Sequence, residues 1–175
     1  MVSWLLMIFA PMFADIRDVL IEPAWYEIIS SSEGMKKEAY WDATGKVWTI
    51  GMGNTTTPTG EPIKEGDVLT DSQARWYMVY HVNHKVVATL QRTIPNWDKM
   101  NASQHAALTS FAYNLGENFY GRKGFESITR DLRTQEGWKD VPTTLGKYVK
   151  SGGRVLPGLV TRRQKEGILF AFSSP

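Results

Sequence analysis

The stretch "SSEGMKKEAYWDATGKVWTIGMGNT", residues 31–55, decides the fold class. Within it, "ATGK" is typical of a turn, and "KVWTIGM" alternates β-branched and aromatic residues with others, which predicts a short β-hairpin. The preceding segment, "IEPAWYEIISSSEG", predicts a helix with Pro23 in its first turn and Gly34 as its C-cap. The strands are too few and too clustered for a parallel sheet with crossover connections.

Helical periodicity dominates the remainder of the chain. It predicts a helix that begins at Thr70 or Asp71 and ends before Pro95, because proline disfavours helix at the residue before it. Further helices are predicted over 101–116, 125–134, 136–150 and 156–172. The fold class is therefore α+β, mainly α: a small β-hairpin or three-strand lobe joined to a helical lobe, with a ligand site expected in the cleft between them.

The 175 residues suffice for one domain, which we place at 23–175, with residues 1–22 as an N-terminal extension. The apolar run 4–14, "WLLMIFAPMFA", is too short to span a bilayer and lacks a suitable signal-cleavage site. It predicts an amphipathic helix, for which two alternatives stay open: packing on the body of the protein, or peripheral contact with a membrane surface.

The residue composition argues against a metal site and indicates the charge of a binding partner. There are no cysteines and only three histidines, without an HExxH pattern, so we expect no metal site and no cofactor. The net charge is only +2, but basic residues concentrate after residue 145. A basic end favours an anionic partner such as a membrane or an acidic cell-wall polymer. Apart from this basic end, no feature of the sequence favours nucleic acid, and we expect the protein not to bind it.

Glu33, Asp42 and Thr49 form the candidate catalytic set. Glu33 lies at a helix C-terminus, where the helix dipole favours the protonated carboxyl that a general acid requires. In an inverting glycoside hydrolase, a second carboxylate, here Asp42 assisted by Thr49, holds a water on the opposite face of the sugar. The two carboxyl groups are then roughly 6.5–9.5 Å apart. Each residue also has an ordinary explanation: a surface Glu, an Asp that caps a turn, and a structural strand Thr.

Three motifs, in this order, resemble the phage-type lysozymes, glycoside hydrolase family 24. They are "EGMKKEAYWDATGKVWTIGMGNT", "QHAALTSFAYNLG" and "GLVTRRQKEGILF", and the resemblance covers residues 24–172. It implies a lysozyme-like fold and a monomeric muramidase that hydrolyses the β-1,4 bond between N-acetylmuramic acid and N-acetylglucosamine in peptidoglycan. It also implies a role in host cell lysis by a phage, with the protein held in the host cytoplasm before it acts on the periplasmic wall.

The resemblance implies roles for individual residues. Glu33 matches the general acid, and Asp42 and Thr49 match the groups that orient the attacking water. Arg162 or Arg163 matches an arginine that reaches toward the catalytic Glu, although an ion pair with Glu166 is an alternative. Asn114 matches a residue that lines the substrate groove, although a helix C-cap role beside Gly116 explains it equally well.

The sequence departs from the family pattern at two places. One extra residue, which we assign to Lys46, stands between Asp42 and Thr49, and Asn54 replaces a frequent His. If the extra residue were not absorbed locally, Thr49 would turn toward the core. Two other functions stay open: a lytic transglycosylase, which needs the Glu but no water-orienting pair, and a non-catalytic protein acting on the wall or membrane through the same scaffold.

Overall fold

The structure is a computed structural model that describes residues 24–32 and 34–172. The described chain forms two compact units. The first contains residues 34–81, and the second contains residues 24–32 and 82–172. The predicted extension, residues 1–22, lies outside the described residues, as does Glu33.

A two-stranded antiparallel hairpin forms the first part of the 34–81 unit. Strand β1 (Lys36–Asp42) pairs with β2 (Val47–Gly51), and the pairs next to the turn are regular: Tyr40 with Thr49, Trp41 with Trp48 and Asp42 with Val47. The register irregularity lies farther from the turn, between Lys36 and Tyr40.

The four-residue turn of the hairpin, 43–46, accommodates the extra residue identified in the sequence. Lys46 adopts a left-handed conformation with φ 52° directly before β2. Few non-glycine residues adopt this conformation, but a single one in a tight turn is tolerated. The insertion therefore does not shift the strand pairing next to the turn, and Thr49 does not turn toward the core.

One face of the hairpin packs on the core of this unit. Ile50 is fully buried there, with Trp48 and Ala39 partly buried against the same cluster. The remaining core residues come from the following loop and from helix α2 (Asp71–His81): Ile63, Leu69, Ala74 and Tyr77. Thr70 stands directly before α2. Its hydroxyl accepts from the Gln73 amide, while the Gln73 side chain accepts from the Thr70 amide. This reciprocal pair is a capping box.

The 24–32 and 82–172 unit is helical. Its α-helices are α1 (Ala24–Ser32), α3 (Ala88–Thr93), α4 (Ala102–Leu115), α5 (Glu126–Leu132), α6 (Val141–Leu145) and α7 (Pro157–Ala171). Helix α4 is the centre of the unit and packs on α1 and α7. Its N-cap, Asn101, forms a capping box with Gln104, and Leu108 and Phe111 are fully buried.

Two helix predictions needed correction. The helix predicted from about residue 70 contains a π-helical segment, Val82–Val87, before α3. The single helix predicted over 136–150 is wrong. A 3₁₀ segment, Gln135–Asp140, precedes the short helix α6, whose first turn contains Pro142. Proline lacks the backbone N–H that a continuous helix over 136–150 would use at this position. Gly137 packs against the Asp131 carbonyl, where a side chain would not fit.

A second, small hairpin was not predicted. Strands β3 (Lys150–Ser151) and β4 (Arg154–Val155) are joined by Gly152 and Gly153, whose φ values are 55° and 79°. Glycine adopts such values without strain, so "GG" makes the tight turn. The α+β, mainly α fold class is confirmed, with a small hairpin and a mostly helical remainder. Within the described ranges, no helix has both the length and the apolar character needed to cross a bilayer.

Candidate active site

Asp42 and Thr49, two of the three predicted catalytic residues, lie on the hairpin. Asp42 pairs with Val47, and Thr49 pairs with Tyr40 across the two strands. Paired residues share a face, and residues two apart on a strand share it as well. Asp42, Thr49 and Tyr40 therefore project from one face, whereas Trp41 and Trp48 project from the other. Glu33 falls outside the described residues, and its catalytic role stays a prediction.

The carboxylate of Asp42 folds back over its own turn. Its Oδ1 accepts a hydrogen bond from the backbone amide of Thr44 at 2.9 Å. A Cβ at Gly45 would lie only 3.0 Å from Oδ2, so the carboxylate occupies the space that glycine leaves open. Asp42 therefore caps the turn of the hairpin, as its ordinary explanation predicts. The hydrogen bond from the Thr44 amide orients the carboxylate within the turn, with Oδ2 beside Gly45.

Thr49 is buried, with 2% of its surface exposed. Its hydroxyl donates to the carbonyl of Val47 at 3.3 Å. Its neighbour Ile50 points into the core of the unit, so Thr49 lies on the face opposite the core. The role of Thr49 in orienting a water stays a prediction.

Asn114 and Arg163 lie together in the helical unit. Arg163 Nη2 donates to Asn114 Oδ1 at 2.8 Å, and its guanidinium carbon lies 4.8 Å from the centroid of the Phe111 ring, a cation–π distance. The backbone amide of Gly116 bonds to the Ala112 carbonyl, so Asn114 is not needed to close the end of α4. The side chain of Asn114 contacts Arg163. Its role in lining the substrate groove stays a prediction.

Glu166 connects both predicted arginines to the central helix. Its Oε1 accepts from Ser110 Oγ at 2.6 Å and lies 3.3 Å from Arg162 Nε, while Oε2 lies 3.0 Å from Arg163 Nε. Arg162 Nη2 also donates to the Ser110 carbonyl at 3.0 Å. Glu166 is fully buried and Arg163 is 1% exposed, so this is a core ion-pair network. The ion pair expected as an alternative is therefore present, and substrate contact by these arginines stays a prediction.

Burial shifts the protonation equilibria in this network. Burial raises the pKa of Glu166, whereas the nearby guanidinium groups and the Ser110 hydroxyl lower it. It also lowers the pKa of Arg163 to about 10, an effect opposed by Glu166 and reinforced by Arg162. Since the carboxylate lies within 3.3 Å of both guanidinium groups, we assign the charged forms to all three near neutral pH.

Sequence reasoning missed two residues near the predicted ones. Ser110 stands in the apolar run "AALTSFA" of α4, and a small hydroxyl residue inside an otherwise apolar helix face was an available signal. Tyr40 stands two residues before Asp42, and strand alternation would have placed it on the Asp42 face. Within the described ranges, no group of three or more His, Asp or Glu residues is arranged to hold a metal ion.

The sequence of the chain is similar to those of known phage proteins. The phage lysozyme family model matches residues 30–166. The chain is 31% identical over 157 residues to a SAR-endolysin of Haemophilus phage HP1, covering 85% of this chain and 80% of that protein.

Solved structures show the same fold. The active form of the P1 phage endolysin Lyz superposes with a TM-score of 0.64 at 25% identity, over 90% of this chain and 91% of that chain. A point mutant of P22 lysozyme superposes with a TM-score of 0.66, over 86% and 97% of the two chains, and at 20% identity supports the fold alone.

The family match covers most of the chain, and it includes the hairpin with Asp42 and the helix with the buried arginines. The lysozyme-like fold expected from the three motifs is confirmed. The chain belongs to the phage lysozyme family and is a peptidoglycan-degrading glycoside hydrolase of the endolysin type.

Proposed function

We propose that this protein is an N-acetylmuramidase that cuts the β-1,4 bond between N-acetylmuramic acid and N-acetylglucosamine by inversion. Glu33 donates a proton to the glycosidic oxygen as the C–O bond breaks. Asp42 accepts a proton from a water, and that water's oxygen forms the new bond to the anomeric carbon from the opposite side. The products are a free N-acetylmuramic acid reducing end and an N-acetylglucosamine with a free 4-hydroxyl group. Glu33 then takes up a proton from solvent, and Asp42 releases one to it.

The observation that carries this proposal is the geometry of Asp42. Its carboxylate is fixed by the Thr44 amide at 2.9 Å and by contact with Gly45, and it shares a strand face with Thr49. A base that holds a water must itself be held, because catalysis depends on position within a fraction of an ångström. A surface carboxylate free to rotate would not meet this requirement.

The location of the enzyme forms part of the proposal. A relative is named a SAR-endolysin, and we propose that this chain also begins in the host cytoplasm, associates transiently with the inner membrane through residues 1–22, and then acts on the periplasmic wall. Residues 23–175 form the catalytic domain, which acts as a monomer. The basic residues after 145 favour approach to an anionic polymer.

Product analysis tests the reaction. Purified peptidoglycan digested with the full chain is expected to yield muropeptides with a free N-acetylmuramic acid reducing end, identified by mass. Products with 1,6-anhydro-muramic ends would establish a lytic transglycosylase instead. Release of N-acetylglucosamine reducing ends would establish cleavage of the other glycosidic bond. Lysis of outer-membrane-stripped cells without any glycan cleavage would establish a non-catalytic mode of action.

A further inference from the structure

Tyr40 is the exposed aromatic residue on the face of the hairpin that carries Asp42 and Thr49. It is 40% exposed and pairs directly with Thr49 across the strands. Nothing in the family-based assignment of catalytic residues uses it. Because the proposed water-orienting residues project from the same face, any sugar ring they act on must lie near this side chain.

The polar and aromatic contacts of Tyr40 do not explain its exposed position. Its hydroxyl forms no hydrogen bond with a described residue, and its ring forms no aromatic pair with one. By contrast Trp41, although 52% exposed, packs edge-on against Trp48 with ring centroids 5.6 Å apart. Trp41 therefore has an aromatic partner on the core side of the hairpin, whereas the exposed part of the Tyr40 side chain lies on the face that carries Asp42.

The spacing along the strand fits a saccharide. Residues two apart on a β-strand lie about 7 Å apart, the scale of a single pyranose ring. A sugar that reaches the Asp42 carboxylate would extend along the strand toward the Tyr40 ring. Aromatic rings bind the apolar C–H face of a sugar, and a phenol hydroxyl can bond to a ring substituent at the same time.

We propose that Tyr40 is a substrate-contact residue: its ring packs against the N-acetylhexosamine unit beside Asp42, and its hydroxyl hydrogen-bonds that unit. This inference rests on the proposed function, since it places the glycan on the Asp42 face. It assigns Tyr40 to binding rather than to proton transfer, so the loss of the ring should affect KM more than kcat.

The test compares Tyr40→Ala, Tyr40→Phe and Tyr40→Leu with the control Trp41→Ala in the full chain. The substrate is soluble glycan strands prepared from peptidoglycan by removing the stem peptides, and the readouts are reducing-end release and melting temperature. Trp41→Ala removes a larger exposed aromatic residue from the opposite face, so it controls for a general effect on the hairpin. Tyr40→Leu keeps apolar volume without a ring, and Tyr40→Phe keeps the ring without the hydroxyl.

The proposal predicts that Tyr40→Ala and Tyr40→Leu raise KM about tenfold, with kcat within about threefold of wild type. Tyr40→Phe should raise KM only about two- to threefold, and Trp41→Ala should leave it within about twofold. A direct binding measurement in the Glu33→Gln background should show the same order of glycan affinities.

Two results would overturn the inference: an unchanged KM in Tyr40→Leu, or an equal rise in KM for Trp41→Ala. An equal loss in Tyr40→Phe and Tyr40→Ala would overturn the role of the ring. These outcomes are distinct from failure of the proposed function, in which the wild-type chain itself releases no reducing ends from the glycan.

Discussion

Gly45 and Asp42 are in such close contact that a methyl group on Gly45 would meet the Asp42 carboxylate. A Cβ there would lie 3.0 Å from Asp42 Oδ2 and 3.3 Å from Val47 Cγ1. The absence of a side chain at position 45 therefore determines where the Asp42 carboxylate can lie. This contact makes the turn, and not only the carboxylate, part of the proposed catalytic apparatus.

We predict that Gly45→Ala lowers kcat on peptidoglycan about tenfold, because the added methyl displaces the Asp42 carboxylate from its position. The melting temperature should change little, since Gly45 is exposed. Gly158→Ala is the matched control, because a Cβ there meets nothing within 4 Å. Equal activity of Gly45→Ala and wild type would show that the position of the carboxylate does not limit the reaction.

Glu166→Gln is expected to destabilise the fold by about 3–5 kcal/mol, because it removes the buried carboxylate that pairs with the guanidinium groups of Arg162 and Arg163. Urea unfolding measures the effect. Lys165→Gln, at the neighbouring exposed position, should change the free energy of unfolding by less than about 0.5 kcal/mol. If Glu166→Gln were as stable as Lys165→Gln, the network would not contribute as its geometry implies.

The pH dependence of stability should include a contribution from Glu126. Its Oε1 accepts from the Gly124 amide at 2.9 Å, and this backbone hydrogen bond holds its pKa below the ordinary 4.5. The stabilisation is therefore present above pH 4.5 and is lost as the pH falls through the folded-state pKa.

Denaturant unfolding of Glu126→Gln and wild type, from about pH 7 to about pH 3, measures this contribution. The variant should be less stable at neutral pH, and the difference between the two proteins should shrink in acid. A difference that stays constant across the pH range would assign the effect of the substitution to packing rather than to charge.

The stereochemistry of the first product is a further prediction. Inversion at a β-linked sugar yields the α-anomer, because water attacks from the face opposite the leaving group. Proton NMR of a fresh digest, recorded before mutarotation equilibrates the anomers, should show the α signal first. An initial β-anomer would mean that Asp42 or another group acts as a nucleophile, with retention.

The sequence predicted the elements whose signals are local. The "ATGK" turn, the start of α2 near Thr70 and the helical periodicity of α4 each depend on residues a few positions apart. Strand alternation also assigned Thr49 to its face, and that assignment survived the extra residue because Lys46 adopts φ 52° within the turn. Local periodicity and turn chemistry were sufficient in these cases.

Long-range contacts were not predictable in the same way. Gly137 packs against the Asp131 carbonyl inside the segment predicted as a single helix over 136–150, and no helical periodicity reveals this contact. The Ser110–Glu166 bond joins positions 56 residues apart, so the sequence motif suggested the arginine–glutamate pair but not its third partner. In the candidate site, the missed residue was Tyr40, whose importance depends on the strand face it shares with Asp42 rather than on any motif.

The central claim is that two carboxylates divide the chemistry, with Glu33 as the acid and Asp42 as the group that holds the water. The direct measurement is the rate of reducing-end release from purified peptidoglycan by wild type, Glu33→Gln and Asp42→Asn, each confirmed as folded by its melting temperature. Each substitution is expected to reduce the rate at least about a hundredfold, because general acid–base catalysis contributes on that scale. Near-wild-type activity of Glu33→Gln would contradict the account.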